Sequence, residues 1–312
     1  MVAFITGITG QDGYYLARHL HQLGAEVWGT SRAAILPQEL NFARLVPIAD
    51  YTDQKRLERA IAAANPDEIY HLAAQSSVAA SWEDPVATID ITGLGTLRLL
   101  EAVRSVAPTA RVFVASSSEI FGDPVRAPQD EQTAIRPTSP YGAAKAFAHH
   151  VAAIYRQRYD FFIASGILYN HESPRRARSF VTQKIVQGAV AIARGQQAEL
   201  RLGNLDALRD WGFAGDYVRA MHLMLQQPVP GDYVVATGET HSVRDWCKFA
   251  FARVGLDYRE YVVRDQQFWR PAEAVPLVGD PTKARQVLGW SATTSLSDLV
   301  AIMVEAELSR PL

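Results

Sequence analysis

The sequence predicts an α/β fold in which a doubly wound parallel sheet is joined to a smaller α/β lobe. Short apolar runs alternate with helix-like segments over the first 169 residues. The runs are almost wholly apolar, which is typical of parallel strands buried on both faces. After residue 169 this alternation loosens, which indicates the smaller unit. The βαβ order also implies right-handed crossovers between parallel strands.

The first unit, residues 1–169, is expected to form a Rossmann-type sheet. Its predicted strands are residues 2–6, 26–29, 45–48, 68–72, 111–116 and 161–168. Its predicted helices are residues 13–23, 54–63, 93–105 and 140–158.

The second unit, residues 170–312, is expected to lie mainly over the carboxyl edge of the sheet, where open α/β folds bind ligands. It begins with a polar loop that contains Pro174. Its predicted helices are residues 180–194, 242–254 and 296–306, and its predicted strand is residues 200–202. A further apolar run at residues 232–236 is expected to return to the sheet of the first unit.

Composition excludes several classes of function. The 312 residues are 48% apolar with a net charge of −2, which permits a sizeable core and argues against nucleic-acid or membrane-surface binding. The most apolar stretch, residues 161–169, is about half the ~20 residues that a membrane span needs. Cys247 is the only cysteine, and the chain starts on a strand rather than a signal peptide. We therefore expect a cytoplasmic protein, and no residue spacing predicts a metal site.

A glycine-rich turn follows the first strand. Gly7, Gly10 and Gly13 occur at GxxGxxG spacing just before the first predicted helix. Such glycines permit a tight bend, a close approach to a pyrophosphate and close helix packing, and the helix N-terminus favours negative charge. Glycine turns before helices are common, so the turn predicts a dinucleotide only in combination with its place after a buried strand.

The end of the second strand indicates which dinucleotide is bound. NAD-binding proteins usually carry a carboxylate there, whereas this chain has Thr30-Ser31-Arg32. A guanidinium suits a 2′-phosphate, so Arg32 predicts NADP, although a solvated surface arginine is the alternative. Asp50, after the third strand, is either a contact of the adenine edge or a loop cap.

Tyr141 and Lys145 form the candidate acid/base pair. They are four residues apart on a predicted helix and therefore share a face. A lysine ammonium near a phenol lowers the phenol's pKa, which makes tyrosine usable as an acid or base near neutral pH. Two surface residues on one helix would give the same spacing. The position of the pair after the fifth strand favours the catalytic interpretation.

Ser117 and Glu119 follow the fifth strand directly. A serine there can form a hydrogen bond to a substrate oxygen, and a carboxylate facing the cleft can move a carbon-bound proton. A helix cap or a turn residue is an equally good interpretation of Glu119 from the residue types alone.

These residues resemble the extended short-chain dehydrogenase/reductase family, and within it the GDP-mannose 4,6-dehydratases. The resemblance covers nearly the whole length of the chain. The Gln11-Asp12 pair makes the glycine turn more specific than its glycines alone. The motifs that carry the resemblance are residues 7–13, 170–176, 203–212, 270–273 and 277–284.

The resemblance implies a mechanism. Tyr141 takes the proton of the sugar O4 while a hydride leaves C4 for NADP. Lys145 binds the nicotinamide ribose and keeps the pKa of Tyr141 low, and Ser117 bonds to the O4 region. Glu119 then removes the C5 proton and helps to expel the C6 hydroxyl as water, after which the hydride returns to C6. The cofactor site implied comprises Gly7, Thr9, Gly10, Gln11, Asp12, Gly13, Arg32, Asp50, Tyr141 and Lys145.

The resemblance also implies GDP-mannose as the substrate. Asn170, Arg209 and Arg270 would meet its pyrophosphate, Lys184 its guanine and Glu273 its ribose. Gln75 and Ser81 would line the hexose pocket. His171 is assigned no chemistry, because a satisfied structural histidine is an equally good interpretation.

Three features depart from the dehydratase pattern. Ser117-Ser118-Glu119 and the segments around residues 27–32 and 71–77 also resemble GDP-4-keto-6-deoxymannose reductases that consume NADPH, which is the alternative function. A regulatory protein that only binds cofactor is a non-enzymatic alternative, which the intact catalytic set disfavours. The segment after Arg32 is short where the family carries an arm to a neighbouring subunit, so a homodimer is expected as readily as a homotetramer.

Overall fold

The computed structural model describes residues 1–47, 51–268 and 275–311 of the chain. Its strands are β1 (Val2–Thr6), β2 (Glu26–Ser31), β3 (Arg44–Pro47), β4 (Glu68–His71), β5 (Arg111–Ser117), β6 (Ile163–Leu168), β7 (Asn170–Glu172), β8 (Leu200–Leu202), β9 (Leu208–Arg209), β10 (Trp211–Phe213), β11 (Asp232–Val235), β12 (His241–Ser242) and β13 (Val262–Arg264).

Helices fill most of the intervals between these strands. They are α1 (Gln11–Gln22), α2 (Gln54–Ala64), α3 (Val78–Glu83), α4 (Pro85–Thr88), α5 (Gly95–Val106), α6 (Pro140–Tyr159), α7 (Val181–Ala193), α8 (Ala214–Leu225), α9 (Val243–Arg253), α10 (Tyr258–Tyr261), α11 (Thr282–Leu288) and α12 (Leu296–Leu308). A π-helical segment, Ile89–Leu94, joins α4 to α5, so the helix predicted from residue 93 begins earlier than expected.

Seven strands form one parallel sheet in the order β11-β6-β5-β4-β1-β2-β3. Every neighbouring pair is parallel, which confirms the predicted fold class. The strand order reverses between β1 and β4, and ligands of such sheets bind outside the carboxyl ends of the strands at this switch point. The predicted return of residues 232–236 corresponds to β11, which pairs with β6.

Helices cover both faces of the sheet. Successive residues of β1 point to opposite faces, so Ile5 packs with α1 and α8 while Phe4 packs with α2 and α5. Both side chains are fully buried. Each contributes roughly 1.5–3 kcal/mol of hydrophobic stabilisation relative to exposure. This two-sided burial explains why the strands lack an alternating pattern.

A separate apolar core lies in the second half of the chain. It is formed by α7, α9 and α12 around the strand β8, with Trp246 and Phe251 fully buried at its centre. The chain leaves this core to place α8 and β11 on the large sheet, then returns to it with α9. Helix α8 was not predicted from the sequence, although its buried residues have helical spacing: Tyr217, Val218, Met221, Met224 and Leu225.

Candidate active site

The glycine turn lies between β1 and α1 at the switch point. Gly7 has a φ of +75°, a left-handed conformation that favours glycine, and its amide donates to the Thr30 carbonyl at 3.0 Å. A Cβ on Gly13 would stand 2.3 Å from the Gly7 carbonyl oxygen, so only glycine fits there. Helix α1 begins after Gly10 without a side-chain cap. Its first amides therefore remain available to an anion, and the turn fits a dinucleotide pyrophosphate.

The outer end of this turn leads to the carboxyl end of β2. The Thr9 hydroxyl is 2.8 Å from the Ser31 hydroxyl, which also accepts the amide of Ala33 at 2.9 Å. Arg32 is exposed directly beyond the strand. This is the position where the sequence analysis expected a 2′-phosphate contact. Asp50 lies outside the described residues.

The side chains of Gln11 and Asp12 bind a neighbouring protein segment. Gln11 Nε2 donates to the His171 carbonyl at 2.9 Å, and Ser173 Oγ donates to Gln11 Oε1 at 2.9 Å. Asp12 Oδ2 is 2.8 Å from His171 Nε2. These two side chains, which were expected to contact the cofactor, therefore connect α1 to β7 in the structure. Their position leaves only their backbone amides for an anion at the start of α1.

His171 carries a charge in this arrangement. Its Nδ1 is 2.7 Å from the Tyr169 carbonyl and its Nε2 faces the Asp12 carboxylate, so both ring nitrogens face acceptors and both must donate. Burial tends to lower the pKa of His171, but Asp12 outweighs burial and raises that pKa above 6.5. Burial likewise tends to raise the pKa of Asp12, but His171 holds it below 3.8. No role of His171 was predicted from the sequence.

The catalytic candidates meet at the carboxyl end of β5. Ser117 ends the strand, and Glu119 lies in the 3-10 turn that follows it. Helix α6 starts against this turn, because Ser139 caps it by accepting the Gly142 amide at 3.0 Å. A Cβ on Gly142 would lie 2.6 Å from the Glu119 carbonyl oxygen. This close contact places the first turn of α6 directly beside Glu119.

Tyr141 lies in that first turn and is buried. The Ser117 side chain forms a hydrogen bond with Tyr141, and the Glu119 carboxylate lies close enough to raise the pKa of the phenol. The structure thus brings together Ser117, Glu119 and Tyr141. A hydroxyl, a carboxylate and a phenol at one edge of the sheet can exchange protons with a sugar held there.

The expected direction of the Tyr141 pKa is wrong. Burial raises the pKa of Tyr141 to about 12, the Ser117 hydrogen bond opposes this, and Glu119 adds to it. Lys145 does not offset these effects, because its Nζ donates to the Ala115 carbonyl at 2.6 Å and lies 6.0 Å from the Tyr141 ring centroid. Burial also lowers the pKa of Lys145, to about 8. A pKa of about 8 leaves the lysine mostly protonated at neutral pH.

A buried histidine, which the sequence analysis did not single out, supports the same edge. Thr6 Oγ1 accepts the amides of Leu72 and Ala73 and lies 2.9 Å from His71 Nδ1. Because two amides occupy the lone pairs of this oxygen, its hydrogen points to Nδ1, and His71 is neutral with its proton on Nε2. Burial lowers the pKa of His71 to about 3, with a further contribution from Lys145. Through Thr6, the His71 ring helps to hold the backbone of Leu72 and Ala73, which lies against Gly7.

Two predicted hexose contacts are engaged within the protein. The Gln75 amide group donates to the Ser77 carbonyl at 2.9 Å and accepts the Ser77 amide at 2.7 Å. Ser81 is 0% exposed, and its hydroxyl donates to the Val78 carbonyl at 2.7 Å. The only polar side-chain atom of Ser81 is thus buried within α3 and bonded there, and its contact with a hexose stays a prediction.

The predicted nucleotide contacts lie on the second core and the strands beside it. Asn170 in β7 pairs with Trp211 in β10, two residues after Arg209. The Arg209 guanidinium donates to the Leu208 carbonyl at 2.6 Å. Lys184 on α7 donates to the Arg201 carbonyl at 2.8 Å, and burial lowers its pKa.

Arg270 and Glu273 lie outside the described residues. Within residues 1–47, 51–268 and 275–311, no group of three or more His, Cys, Asp or Glu side chains is placed to hold a metal ion. No helix in these same ranges has the length and apolar character required to cross a membrane.

Relatives of this chain align with it over nearly its whole length. The family model described as GDP-mannose 4,6 dehydratase matches residues 4–303. GDP-mannose 4,6 dehydratase 2 of Arabidopsis thaliana is 48% identical over 98% of this chain and 87% of its own length. GDP-mannose 4,6-dehydratase of Vibrio cholerae is 40% identical over 98% of this chain and 93% of its own length.

Solved structures share the fold. UDP-glucose 4-epimerase of Thermus thermophilus, solved in complex with NAD, superposes with a TM-score of 0.86 at 26% identity, covering 99% of each chain. RMD of Pseudomonas aeruginosa, complexed with NADPH, gives a TM-score of 0.85 at 23% identity over 99% of each chain, and this likeness concerns the fold alone. Because the family model covers nearly all of the sequence and the relatives are aligned almost end to end, this chain belongs to the GDP-mannose 4,6-dehydratase family.

Proposed function

We propose that this chain converts GDP-D-mannose into GDP-4-dehydro-6-deoxy-D-mannose with an NADP that is restored in every turnover. The observation that carries the proposal is the carboxylate of Glu119 beside Tyr141 and Ser117 at the end of β5. An alcohol oxidation needs the tyrosine and its lysine. Removal of water also needs a base for a carbon-bound proton, which Glu119 supplies.

Each residue of the site has a separate task in this reaction. A nicotinamide bound at the glycine turn would supply the hydride acceptor for C4 of the sugar and the hydride donor for C6. Tyr141 takes the proton of O4, and Ser117, bonded to that phenol, holds O4 beside it. Glu119 removes the C5 proton, which the C4 ketone makes acidic. Lys145 provides a positive charge behind the phenol.

The proton count closes without an outside donor. The sugar gives up two protons, one from O4 to Tyr141 and one from C5 to Glu119. It needs two in return, one on the departing C6 hydroxyl and one on C5 when the hydride reaches C6. Glu119 protonates the hydroxyl, which leaves as water, and Tyr141 supplies C5. The net change is the loss of one water, and the side chains return to their starting protonation.

NADP is proposed over NAD on the strength of Arg32. Ser31 ends β2 with a hydroxyl, and Arg32, directly after it, carries an exposed guanidinium. These two groups support the proposal that a 2′-phosphate is bound here. Serine donates one hydrogen bond and arginine a planar pair of donors, both suited to phosphate oxygens. A bare ribose hydroxyl would gain little from the guanidinium.

The substrate nucleotide is proposed to lie on the second core. Asn170 lies in β7, which pairs with β10 through Trp211, and Arg209 lies in β9, two residues before Trp211. Lys184 lies on α7. We assign the diphosphate to Asn170 and Arg209, together with Arg270, and the guanosine to Lys184 and Glu273. In this division residues 1–169 with β11 bind the cofactor, and residues 170–312 mainly bind the nucleotide sugar. Helix α8 packs on the sheet and belongs to the cofactor lobe.

A homodimer is proposed as the minimal assembly. Large apolar side chains are exposed on the segment from α3 to the π-helical turn and on α6, which packs against it: Trp82, Val86, Ile89, Phe147 and Ile154. Phe147 and Ile154 are seven residues apart on α6 and share one face. We name these five residues the apolar face. Contiguous exposed apolar surfaces of this kind mark interaction sites, and a two-fold dimer would pair the face with itself.

A cytoplasmic location is proposed from cysteine usage. Cys247 is the only cysteine of the chain and is buried, and burial raises the pKa of its thiol to about 12. An inert thiol without a partner in its own chain is in keeping with a reducing compartment.

The test is to incubate the purified protein with GDP-mannose and a catalytic amount of NADP and to follow the product mass. Loss of one water from the sugar nucleotide, with no net formation of NADPH, is expected. Inert GDP-mannose, together with NADPH consumption when the 4-keto-6-deoxy sugar is supplied, would overturn the proposal in favour of a reductase.

A further inference from the structure

We infer that Asp210 is a positioning residue of the substrate site, because its carboxylate fixes Arg209 relative to Asn170. Asp210 is the single residue between β9 and β10. Strand β9 pairs with β12 through Arg209 and His241. Strand β10 pairs with β7 through Trp211 and Asn170. The anchoring of Asp210 therefore sets where Arg209 lies relative to Asn170, the other side chain assigned to the diphosphate. The inference rests on that assignment, which is part of the proposed function.

Four hydrogen-bond donors surround the carboxylate of Asp210. Its Oδ1 accepts the Thr237 amide at 2.9 Å and the Thr237 hydroxyl at 2.6 Å. Its Oδ2 accepts the amides of Gly238 at 3.0 Å and Gly279 at 3.3 Å. Asp210 is 1% exposed, and burial raises the pKa of its carboxyl above 3.8, although these hydrogen bonds oppose the rise. Because both oxygens accept and neither donates, the arrangement fits the ionised carboxylate.

The donors to Asp210 are held by the large sheet. Thr237 and Gly238 lie just beyond the carboxyl end of β11. A Cβ on Gly279 would stand 2.4 Å from the Cβ of Ala236, so Gly279 packs directly against the same strand end. Asp210 thus joins β9 and β10 to the carboxyl edge of the seven-stranded sheet, the edge at which the catalytic candidates meet.

A second buried side chain holds the segment that contains Gly279. Gln129 is 0% exposed, and its Oε1 accepts the Val278 amide at 3.0 Å and the Tyr169 hydroxyl at 2.9 Å. Its Nε2 donates to the Pro276 carbonyl at 3.1 Å. The Gly279 donor is therefore fixed independently of the carboxylate that it faces.

Electrostatics alone predicts the opposite effect of removing this carboxylate. A negative charge beside a diphosphate site repels the ligand, so a neutral residue at position 210 would tighten binding through charge. An Asn side chain would turn its NH₂ group towards donors on one side or the other, so it cannot keep all four hydrogen bonds. If Asp210 positions Arg209, Asp210→Asn should therefore weaken the binding of a nucleoside diphosphate.

The test measures GDP affinity by calorimetry in the absence of turnover. Arg209→Gln should raise the dissociation constant about tenfold, because a charge-assisted hydrogen bond is lost. Asp210→Asn should raise it by a similar factor, with NADPH affinity and kcat within about twofold of wild type. In the double variant the rise should stay near about tenfold rather than reach about a hundredfold, because Asp210 acts through Arg209. Asp206→Asn, which removes an exposed carboxylate from the same segment, is the matched control and should not weaken GDP binding.

Thr237→Val decides the question where Asp210→Asn does not fold. It removes only the hydroxyl donor to Oδ1, so the dissociation constant of GDP should rise about threefold in the wild-type background and stay unchanged in the Arg209→Gln background. Wild-type GDP affinity in a folded Asp210→Asn, or in Thr237→Val where Asp210→Asn is unfolded, would overturn the inference.

Two further outcomes would also overturn the inference. A loss of about a hundredfold in the double variant would show that Asp210 acts independently of Arg209. Equal weakening of GDP and NADPH binding in Asp210→Asn would show a general structural role. Wild-type GDP affinity in Arg209→Gln would instead contradict the assignment of Arg209 in the proposed function, so the two failures are separable.

Discussion

His171 donates a hydrogen bond from Nε2 to Asp12 Oδ2 across 2.8 Å, although the two residues are 159 positions apart in the chain. The contact joins the first turn of α1 to β7 and so connects the cofactor side of the cleft to the strand that enters the second core. His171 also stacks on Tyr217 of α8, with ring centroids 4.7 Å apart. One charged pair therefore fixes three elements that come from distant parts of the sequence.

Replacing Asp12 with Asn should destabilise the protein most at mildly acidic pH. Removing one partner of a buried ion pair costs about 3–5 kcal/mol. In the folded protein the pKa of His171 is raised above 6.5. Its contribution to the free energy of unfolding is therefore complete below pH 6.5 and is lost as the pH rises through the folded pKa. In the folded protein the pKa of Asp12 is lowered below 3.8, so its contribution to the free energy of unfolding is complete above pH 3.8. The difference in free energy of unfolding between wild type and Asp12→Asn should therefore be largest between pH 3.8 and pH 6.5.

Urea unfolding at about pH 5.5 and about pH 9 measures this difference. Asp123→Asn is the control, because Asp123 is exposed and its ion pair with Arg136 spans 3.7 Å. Exposed pairs of this kind contribute about 0–1 kcal/mol. A destabilisation by Asp12→Asn that is equal at both pH values would refute a charged His171.

Glu119→Gln should stop the loss of water while leaving the oxidation at C4 possible. The amide keeps the shape of the side chain but cannot accept the C5 proton. We expect turnover to fall by about 10²–10⁴-fold, the usual contribution of a general base. Reduced nicotinamide should still form on addition of GDP-mannose, and exchange of the C5 hydrogen with deuterated solvent should cease. Glu239→Gln, at an exposed position, is the matched control. Full-rate C5 exchange in Glu119→Gln would assign the proton to another base.

Tyr141→Phe should abolish turnover and leave cofactor binding almost unchanged. The substitution removes the phenolic oxygen that takes the O4 proton and keeps the buried ring. We expect a loss of at least about 10²-fold in kcat, with NADPH affinity within about twofold of wild type. Tyr159→Phe, on the same helix but exposed, controls for loss of a tyrosine hydroxyl from α6. Near-normal dehydration by Tyr141→Phe would exclude the phenol as the proton acceptor.

The sequence was sufficient for features set by local chemistry. Apolar runs predicted the central strands, the glycine spacing predicted the turn after β1, and four-residue spacing placed Tyr141 and Lys145 on one face of a helix. Helix α8 was missed although Tyr217, Met221 and Met224 carry its periodicity, because the second half was read as a loosely organised lobe. Its packing on the sheet depends on β11 returning to pair with β6.

The features that could not be read from the sequence depend on tertiary burial. The pKa of Tyr141 is raised because the residue is buried and Lys145 bonds to Ala115, neither of which follows from spacing. Ser81 is the right residue type for a sugar contact, yet it is bonded inside α3. His171 has no local motif that reveals its charge, because its partner is supplied by α1.

Arg32→Ala should reduce the preference for NADP over NAD. The guanidinium is exposed at the end of β2, so its loss should not disturb the fold. We expect the dissociation constant of NADPH to rise about tenfold and that of NADH to change by less than about twofold, because only the former carries a 2′-phosphate. Parallel fluorescence titrations of the two cofactors provide the measurement, with Arg158→Ala, exposed at the end of α6, as the control. If the affinities for NADPH and NADH fell equally, Arg32 would contact a group that both cofactors carry and not the 2′-phosphate.

Phe147→Glu should convert a dimer into a monomer if the apolar face is the interface. Phe147 is 40% exposed and Ile154 is 58% exposed on the same side of α6. Two-fold pairing would bring two introduced carboxylates into an apolar contact, where unpaired charges are strongly unfavourable. Light scattering after gel filtration gives the mass of each species, and Ile154→Glu should act in the same way. Ile35→Glu provides the control, because Ile35 is 81% exposed but lies outside the apolar face. A dimer that persists in both α6 variants would place the interface elsewhere on the molecule.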